Sequence, residues 1–414
     1  MKKKIIFFEP SMLSPKGHYL DLLIESTFFF KGKFKIFWLL NKNFNLGKNF
    51  IPKNIYIKRA ISSNKFEKKK NKFLYLAGEI FIFAKSVFEI IFLFFYFAKK
   101  KKLIKFLVAL ATNYFFLPRY FKSFYFAYIA YNLNKSDHII IPSCRKKDVS
   151  LISFLLKIEE NAPKIHLRIF LPPKKEFRSF YYYLSQMKKF FKEKSIFIYT
   201  YGKYTKNLIK KNTNFLINVE LTNLPYSFFK RKKKLKNYTI GYLGEARFDK
   251  GFHLLPSLIQ ILEKKGFRFN YLIQITSVSN NILKCKEQLI EMSKSNPRIK
   301  IIEKYCDFLD FRKLLQKIDI MPILYNLDQL NKSTSGIFYS CITHEIPTSI
   351  PKKCKFMMNI LNHKSFEKFN DINDCAKKII KISKNYSLYL RAAKKNSKIL
   401  KNKLDKDPIK LNIS

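Results

Sequence analysis

Two cations, Arg247 and Lys250, sit in the stretch Ile240-Gly-Tyr-Leu-Gly-Glu-Ala-Arg-Phe-Asp-Lys-Gly251. The chain has only 10 glycines in 414 residues, yet Gly241, Gly244 and Gly251 all fall here. Glycine at a strand end lets the backbone turn tightly. Cations beside the first N–H groups of a helix add to a terminus that already favours anions. A second stretch, Pro322-Ile-Leu-Tyr-Asn-Leu-Asp-Gln-Leu-Asn-Lys-Ser-Thr-Ser-Gly336, leaves a strand near Tyr325 and reaches a helix start at Ser335 and Gly336. Hydroxyls and open N–H groups there make another anion cradle, with Lys332 adjacent. The plain alternatives are a strand-to-helix turn with solvated charges and an ordinary Ser/Thr N-cap. Two cradles in one domain fit a diphosphate.

Hydrophobic periodicity supplies the elements that position these segments. Strands are expected at Lys4–Phe8, Phe34–Leu40, His138–Ile141, Ile165–Phe170 and Ser195–Tyr199, with a helix over Gly17–Phe30. A second series alternates strand and helix: Tyr238–Leu243, Phe252–Glu263, Phe267–Ile275, Ile282–Ser293, Ile299–Ile302, Phe308–Gln316, Ile318–Leu324 and a helix from Gly336 to Thr343. Such alternation favours two doubly wound α/β domains, with ligands at the carboxyl ends of the strands. The expected division is 1–228, then 237–378, with the basic run Lys230–Lys236 as linker and 379–414 as closing helices.

Residues 66–131 form an apolar insertion with three competing readings. They are helices buried in the first domain, a face lying on a membrane surface, or a membrane span. Glu79, Lys85 and Glu89 interrupt the apolar run, and Ile90–Ala98 is short against the roughly 20 residues that a span needs. Lys99–Lys102 and Lys105 beside Phe and Tyr suit an anionic surface.

The net charge of +52, from 81 basic and 29 acidic residues, invites a polyanionic partner. The cations are mostly Lys, and the chain is also rich in Phe, Ile and Asn, so part of the excess reflects A/T-rich codons. The Lys runs are spread along the chain with no nucleic-acid-binding motif, so no specific nucleic-acid partner is expected. Six scattered cysteines, without a CxxC pair or Cys/His cluster, argue against structural zinc and dense disulfides and suit a reducing cytoplasmic compartment. The apolar run Ile5–Phe8 is too short for a signal peptide.

Gly-Tyr-Leu-Gly-Glu-Ala-Arg-Phe-Asp-Lys-Gly-Phe-His-Leu-Leu-Pro at 241–256, together with Pro-Ile-Leu-Tyr…Ser-Gly-Ile…Ile-Pro at 322–347, resembles bacterial GT-B glycosyltransferases. The likeness is to the retaining, nucleotide-sugar-dependent glycosyltransferase family 4 group. Gly17-His18 is similar to the glycine loop that those enzymes hold near the donor. The resemblance implies an α/β fold of GT-B type, two Rossmann-like domains facing a cleft, with the closing helices of 379–414 packing back on the first domain. It also implies sugar transfer from a nucleotide-diphosphate donor to a glycan or lipid-linked acceptor in cell-surface polysaccharide synthesis, at the inner face of a membrane.

By this resemblance Arg247 and Lys250 hold the diphosphate and stabilise charge on the departing nucleotide. Gly17, Gly244, Glu245, Tyr325, Ser335 and Gly336 line the donor site, and Tyr305 lies where the base is held. The acceptor hydroxyl comes from the side of Gly17, His18, Ser143 or Arg168, with His18 as a group that orients or deprotonates it. Fixed cations and helix N-termini meet the leaving-group charge, so neither a metal nor a cofactor is expected. The family's second glutamate falls at Ser340, so the chain either uses the Ser-Gly loop instead or has lost part of its donor site. The alternatives are thus an inactive GT-B scaffold and a non-specific polyanion binder.

Overall fold

The computed structural model describes residues 2–10, 18–30, 32–41, 44, 55–61, 72–112, 118–169, 177–213, 218–222, 228–230, 237–276, 282–306, 308–326, 335–354 and 361–413. Contacts divide the chain into Met1–Thr222 with Pro408–Ser414, and Asn223–Asp407.

The first unit is built on a seven-stranded parallel sheet. Its strands are β1 (Lys4–Glu9), β2 (Lys35–Asn41), β3 (Ile55–Ile61), β4 (His138–Ile141), β5 (Lys164–Ile169), β6 (Ile196–Thr200) and β7 (Val219–Leu221). Their spatial order is β3-β2-β1-β4-β5-β6-β7. β1 is flanked by β2 and β4, with Ile6 opposite both Phe37 and Ile139. Strands covered on both faces read as continuous apolar runs, which is why Ile5, Phe7, Trp38, Ile139 and Leu167 all lie within the core. β3 and β7 were not among the expected strands. Lys58 and Arg59 break the apolar run of one, and the other has only three residues.

The apolar insertion contains helices Lys72–Lys99, Leu103–Ala111 and Pro118–Ala130; residues 66–71 lie outside the described residues. One face joins the core. Phe97 stacks on Phe106 with ring centroids 4.9 Å apart, and Phe121 meets Phe154 edge-on at 4.5 Å. Lys102 reaches Glu159 at 2.8 Å, and Tyr125 donates to the same carboxylate. The opposite face is exposed. Among the described residues no helix is long and apolar enough to cross a membrane.

A buried polar chain crosses the first sheet. His138 Nδ1 lies 3.0 Å from His166 Nε2, and His166 Nδ1 lies 3.0 Å from the Tyr199 hydroxyl. Asn412 donates to that hydroxyl at 3.1 Å and to Glu220 at 3.0 Å, which fastens the last helix, Pro408–Ile413, to this unit. Burial, with the nearby Lys164 and Lys3, lowers the His138 pKa to about 4. Burial also holds His166 well below its usual range, aided by His138. The unfolded chain protonates both imidazoles near pH 6.5 while the folded unit keeps them neutral, so stability falls as pH drops below about 6.5. The slope is up to about 1.4 kcal/mol per pH unit for each imidazole. His138→Gln should flatten the fall in unfolding midpoint between about pH 6.5 and 4; an unchanged slope would remove His138 from the account.

The second unit repeats the plan. β8 (Thr239–Tyr242), β9 (Asn270–Gln274) and β10 (Ile299–Ile302) pair in the order β10-β9-β8, and β11 (Met321–Pro322), β12 (Thr348–Pro351) and β13 (Phe366–Phe369) in the order β11-β12-β13. A parallel bridge, Ile240 to Ile320, joins the two sets. The order thus becomes β10-β9-β8-β11-β12-β13, the nucleotide-binding arrangement whose strand order reverses between β8 and β11. Helices Leu255–Lys264, Leu283–Ser295, Phe308–Lys317 and Gly336–Thr343 connect the strands.

The closing helices depart from expectation. Ile372–Lys384 and Tyr386–Asp405 belong to the second unit, where Ile379, Ile382, Tyr386, Tyr389 and Leu390 enter its core. Their apolar stripe already has a surface to bury against, so only Pro408–Ser414 goes with the first unit. The boundary before them lies at Thr222 rather than 228.

Candidate functional site

The site forms where the second sheet reverses direction. Past β8 the chain turns at Gly244, whose φ of +116° is a conformation that side-chain-bearing residues rarely adopt. Gln274, at the end of β9, accepts from the Gly244 N–H at 3.2 Å, and the Thr276 hydroxyl donates to the Gly244 carbonyl at 3.3 Å. Tyr242 points its hydroxyl into the loop, donating to the Glu245 carbonyl at 3.3 Å. The loop closes at Gly251, with φ +72°, where a Cβ would stand 2.0 Å from the Leu324 carbonyl oxygen. Asn326 N–H donates to the Asp249 carbonyl at 2.9 Å. The segments leaving β8 and β11 therefore lie against each other.

Four charges crowd this loop. Arg247 Nε donates to Asp249 Oδ1 at 2.8 Å and Nη1 to Glu245 Oε2 at 2.9 Å, while Nη2 completes a forked pair with Asp249. Lys250 Nζ stands 3.4 Å from the same Glu245 oxygen. The hydrogen bond from Arg247 holds Asp249 below the usual carboxylate range against partial burial. Burial raises the Glu245 pKa, but Lys250 and Arg247 together outweigh it and leave the pKa lowered. The bond to Asp249, above all, raises the Arg247 pKa. Two cations and two carboxylates balance, so an incoming anion competes with Glu245 and Asp249 for Arg247. Arg247 and Glu245 are exposed, and pairs of this kind contribute about 0–1 kcal/mol. The exchange is cheap.

Ser335 caps the helix Gly336–Thr343: its Oγ accepts from Phe338 N–H at 3.1 Å. The Tyr325 hydroxyl lies 2.8 Å from the same oxygen. Burial pushes the Tyr325 pKa up to about 12, against the opposing effect of the Ser335 bond, so the phenol keeps its proton at neutral pH. Ile337, in the first turn of this helix, is the residue that a Cβ on Gly244 would approach, at 3.9 Å. The helix N-terminus therefore adjoins the Gly244 turn. Lys332, Ser333 and Thr334 lie outside the described residues.

Tyr305 is partly exposed, in the segment after β10. Gln274 donates to the Lys304 carbonyl at 3.3 Å, so one buried amide fastens both the Tyr305 segment and the Gly244 turn. Neither Gln274 nor Asp249 figured among the residues expected from the sequence. The signal for Gln274 was a lone amide ending an apolar strand, and for Asp249 a carboxylate two residues beyond an arginine. Ser340 is buried in the helix, its carbonyl accepting from His344 Nδ1 at 2.9 Å.

The acceptor-side candidates lie in the first unit. Gly17 is outside the described residues, and His18 opens the helix His18–Phe30, its side chain not described. Ser143 is buried in the turn after β4. Arg168, on β5, is also buried, beneath that first helix, donating from Nη1 to Ser26 Oγ at 3.1 Å. The backbone links their neighbourhoods, since Cys144 N–H donates to the Arg168 carbonyl at 2.9 Å. Beside them Asp148 accepts from Arg145 N–H at 2.8 Å and from the Tyr120 hydroxyl, a buried pair that sequence reasoning missed. Among the described residues no cluster of three His, Cys, Asp or Glu side chains forms a metal site.

Solved structures share this architecture along essentially the whole chain. The sucrose-phosphate synthase of Thermosynechococcus elongatus superposes with a TM-score of 0.58 at 8% identity, over 96% of this chain and 93% of that one. A glycosyltransferase from Rickettsia africae gives 0.56 at 12% identity, over 100% and 96%. The Anabaena HepE protein, solved with UDP and glucose, gives 0.55 at 11% identity, over 99% and 97%. The fold is GT-B. No family profile and no curated protein matches the sequence. Each GT-B unit is Rossmann-like, and the Arg247 loop occupies the strand-order reversal of the second.

Proposed function

We propose that the protein is a glycosyltransferase whose second unit binds a nucleotide-diphosphate sugar. The observation that carries this is the adjacency of the Gly244–Gly251 loop, with Arg247 and Lys250, and the N-terminus of the helix Gly336–Thr343, at the point where strand order reverses. Rossmann-like sheets take nucleotides at that point. UDP bound to a GT-B neighbour supports the same class of ligand.

In this reading the C1–O bond of the donor breaks while negative charge grows on the β-phosphate oxygen. Arg247, Lys250 and the helix N-terminus meet that charge in place, without reorganising and without a metal or cofactor. Glu245 gives up its hold on Arg247 and Lys250 when the phosphates arrive. Tyr305 faces the base, and Tyr325 and Ser335 hold the far edge of the phosphate site. The acceptor is a glycan or lipid-linked hydroxyl, for which the first unit supplies Gly17, His18, Ser143 or Arg168. The reaction is of the retaining kind, as in glycosyltransferase family 4, and serves cell-surface polysaccharide synthesis. No specific nucleic acid takes part.

A thermal-shift panel of UDP, GDP, ADP and CMP tests the donor site. A ligand that binds only the folded protein at 100 times its Kd stabilises it by about 2.7 kcal/mol. One diphosphate should raise the melting point by several degrees and CMP should not; no shift with any of them would refute the reading. A shift without sugar transfer would identify an inactive scaffold that retains the site.

A further inference from the structure

The helix Lys72–Lys99 presents two unlike faces. Glu89, Leu93 and Phe97, one turn apart, face the core, with Glu89 held by Lys122 at 2.5 Å. On the other side Phe88, Ile91 and Phe95 are exposed, Phe88 at 65% and Phe95 at 66%. The helix Leu103–Ala111 repeats the division: Phe106 and Ala109 are buried, while Ile104 is 78% exposed beside Leu107 and Val108. Large apolar side chains recurring at helical spacing on two connected helices make a patch rather than scattered exposure. The turn between the helices carries Lys99–Lys102. Lys102 and the nearby Lys105 are committed to Glu159 and Glu160, whereas Lys99, Lys100 and Lys101 are exposed and make no ion pair among the described residues.

We propose that this face docks on an anionic lipid bilayer. Its two components are those of a surface-lying element: aromatic and aliphatic side chains entering the headgroup boundary, and lysines gaining from the negative surface potential. Charge chooses the occupant. A second copy docking on this face would bring together two chains of net charge +52, like charge against like. A bilayer rich in acidic lipid offers the opposite sign to the lysines and hydrocarbon to Phe88, Phe95 and Ile104.

Co-sedimentation of the full chain with vesicles tests it. Binding is expected to vesicles of phosphatidylcholine mixed with phosphatidylglycerol, weakened by salt, and far less to phosphatidylcholine alone. Phe88→Ser/Phe95→Ser/Ile104→Ser, at exposed positions, should reduce partitioning at least about tenfold. Lys99→Gln/Lys100→Gln/Lys101→Gln should lose roughly fivefold per lysine. Unchanged melting points and nucleotide shifts in both variants would show that fold and donor site are intact. Equal binding by wild type and both variants, indifference to lipid charge, or a dimer that the serine variant dissolves would each overturn the proposal.

Discussion

Gly251→Ala is expected to destabilise the second unit by about 2–5 kcal/mol, the sum of two separate costs. The first is conformational. At φ +72° a Cβ crowds the following carbonyl, which costs roughly 1–2 kcal/mol. The second is a collision: the new methyl would stand 2.0 Å from the Leu324 carbonyl oxygen and 2.5 Å from its Cβ. Backbone cannot rotate away as a side chain can, so either the loop or the segment after β11 must move. Overpacking of this kind costs typically about 1–3 kcal/mol. Gly266→Ala separates the two costs, since Gly266 has φ +76° and no atom within 4 Å of the added Cβ. It should lose only the first. Differential scanning calorimetry should place the second unit's melting point roughly 5–20 °C lower for Gly251→Ala and a few degrees lower for Gly266→Ala. Equal shifts would mean that the contact between the two loops contributes nothing.

That contact is also what made part of the site legible in the sequence. In a chain so short of glycine, Gly241 and Gly251 mark places where a side chain does not fit, and Gly244 one where the backbone takes a conformation that side-chain-bearing residues rarely adopt. Alternating apolar runs and turn residues likewise disclosed most strands, because strands covered on both faces must be apolar throughout, and the helices that connect them in the second unit, but not Lys146–Ile158, Phe177–Gln186 or Lys203–Lys211 in the first. The pattern failed where burial and apolarity part company. β12 reads Thr-Ser-Ile-Pro, yet Thr348, Ser349 and Ile350 are all buried. Neighbouring strands satisfy its backbone groups, and the Ser349 hydroxyl meets Cys375 Sγ at 3.4 Å, so polar residues are tolerated in a central strand. β11 contracts from the expected Ile318–Leu324 to Met321–Pro322. Pro322 has no N–H to continue the ladder, although Ile320 still bridges to β8.

Charge was the least legible feature. Composition named the cations but not their neighbours, and pairing depends on where a turn sends each side chain. Arg168, a candidate for the acceptor side, is buried and bonded to Ser26, which a strand sequence alone does not reveal. Lys102 and Lys105 belong to the same basic run as Lys99–Lys101, yet only the former pair with carboxylates of the first unit. Glu245 and Asp249 fold back on Arg247 because the Gly244 and Gly251 turns bring them round, and this makes the anion site self-neutralised.

Self-neutralisation sets the expected result for the two cations. Arg247→Ala and Lys250→Ala should each weaken the stabilising nucleoside diphosphate about 10–100-fold, the worth of one or two charge-assisted hydrogen bonds. The melting point without nucleotide should fall by no more than a few degrees, because the exposed Glu245 pairs contribute little and the part-buried Arg247–Asp249 pair accounts for most of any loss. Arg247→Lys should recover only part of the loss, since an ammonium cannot replace the forked contact. Asp249→Asn should act in the opposite direction and tighten binding severalfold, by removing a competitor for the guanidinium while keeping the side chain's shape. Both carboxylates have lowered pKa values, so they stay ionised throughout the neutral range and compete equally from about pH 6 to 8. Nucleotide affinity should therefore be flat over that interval except for the phosphate's own titration. Below the carboxylate range, protonation should release Arg247 and mimic Asp249→Asn. Isothermal titration calorimetry across the series decides the matter. Undiminished affinity in both alanine variants would place the diphosphate elsewhere, and weaker binding by Asp249→Asn would recast Asp249 as the group that aims Arg247 at the phosphates rather than one that occupies it.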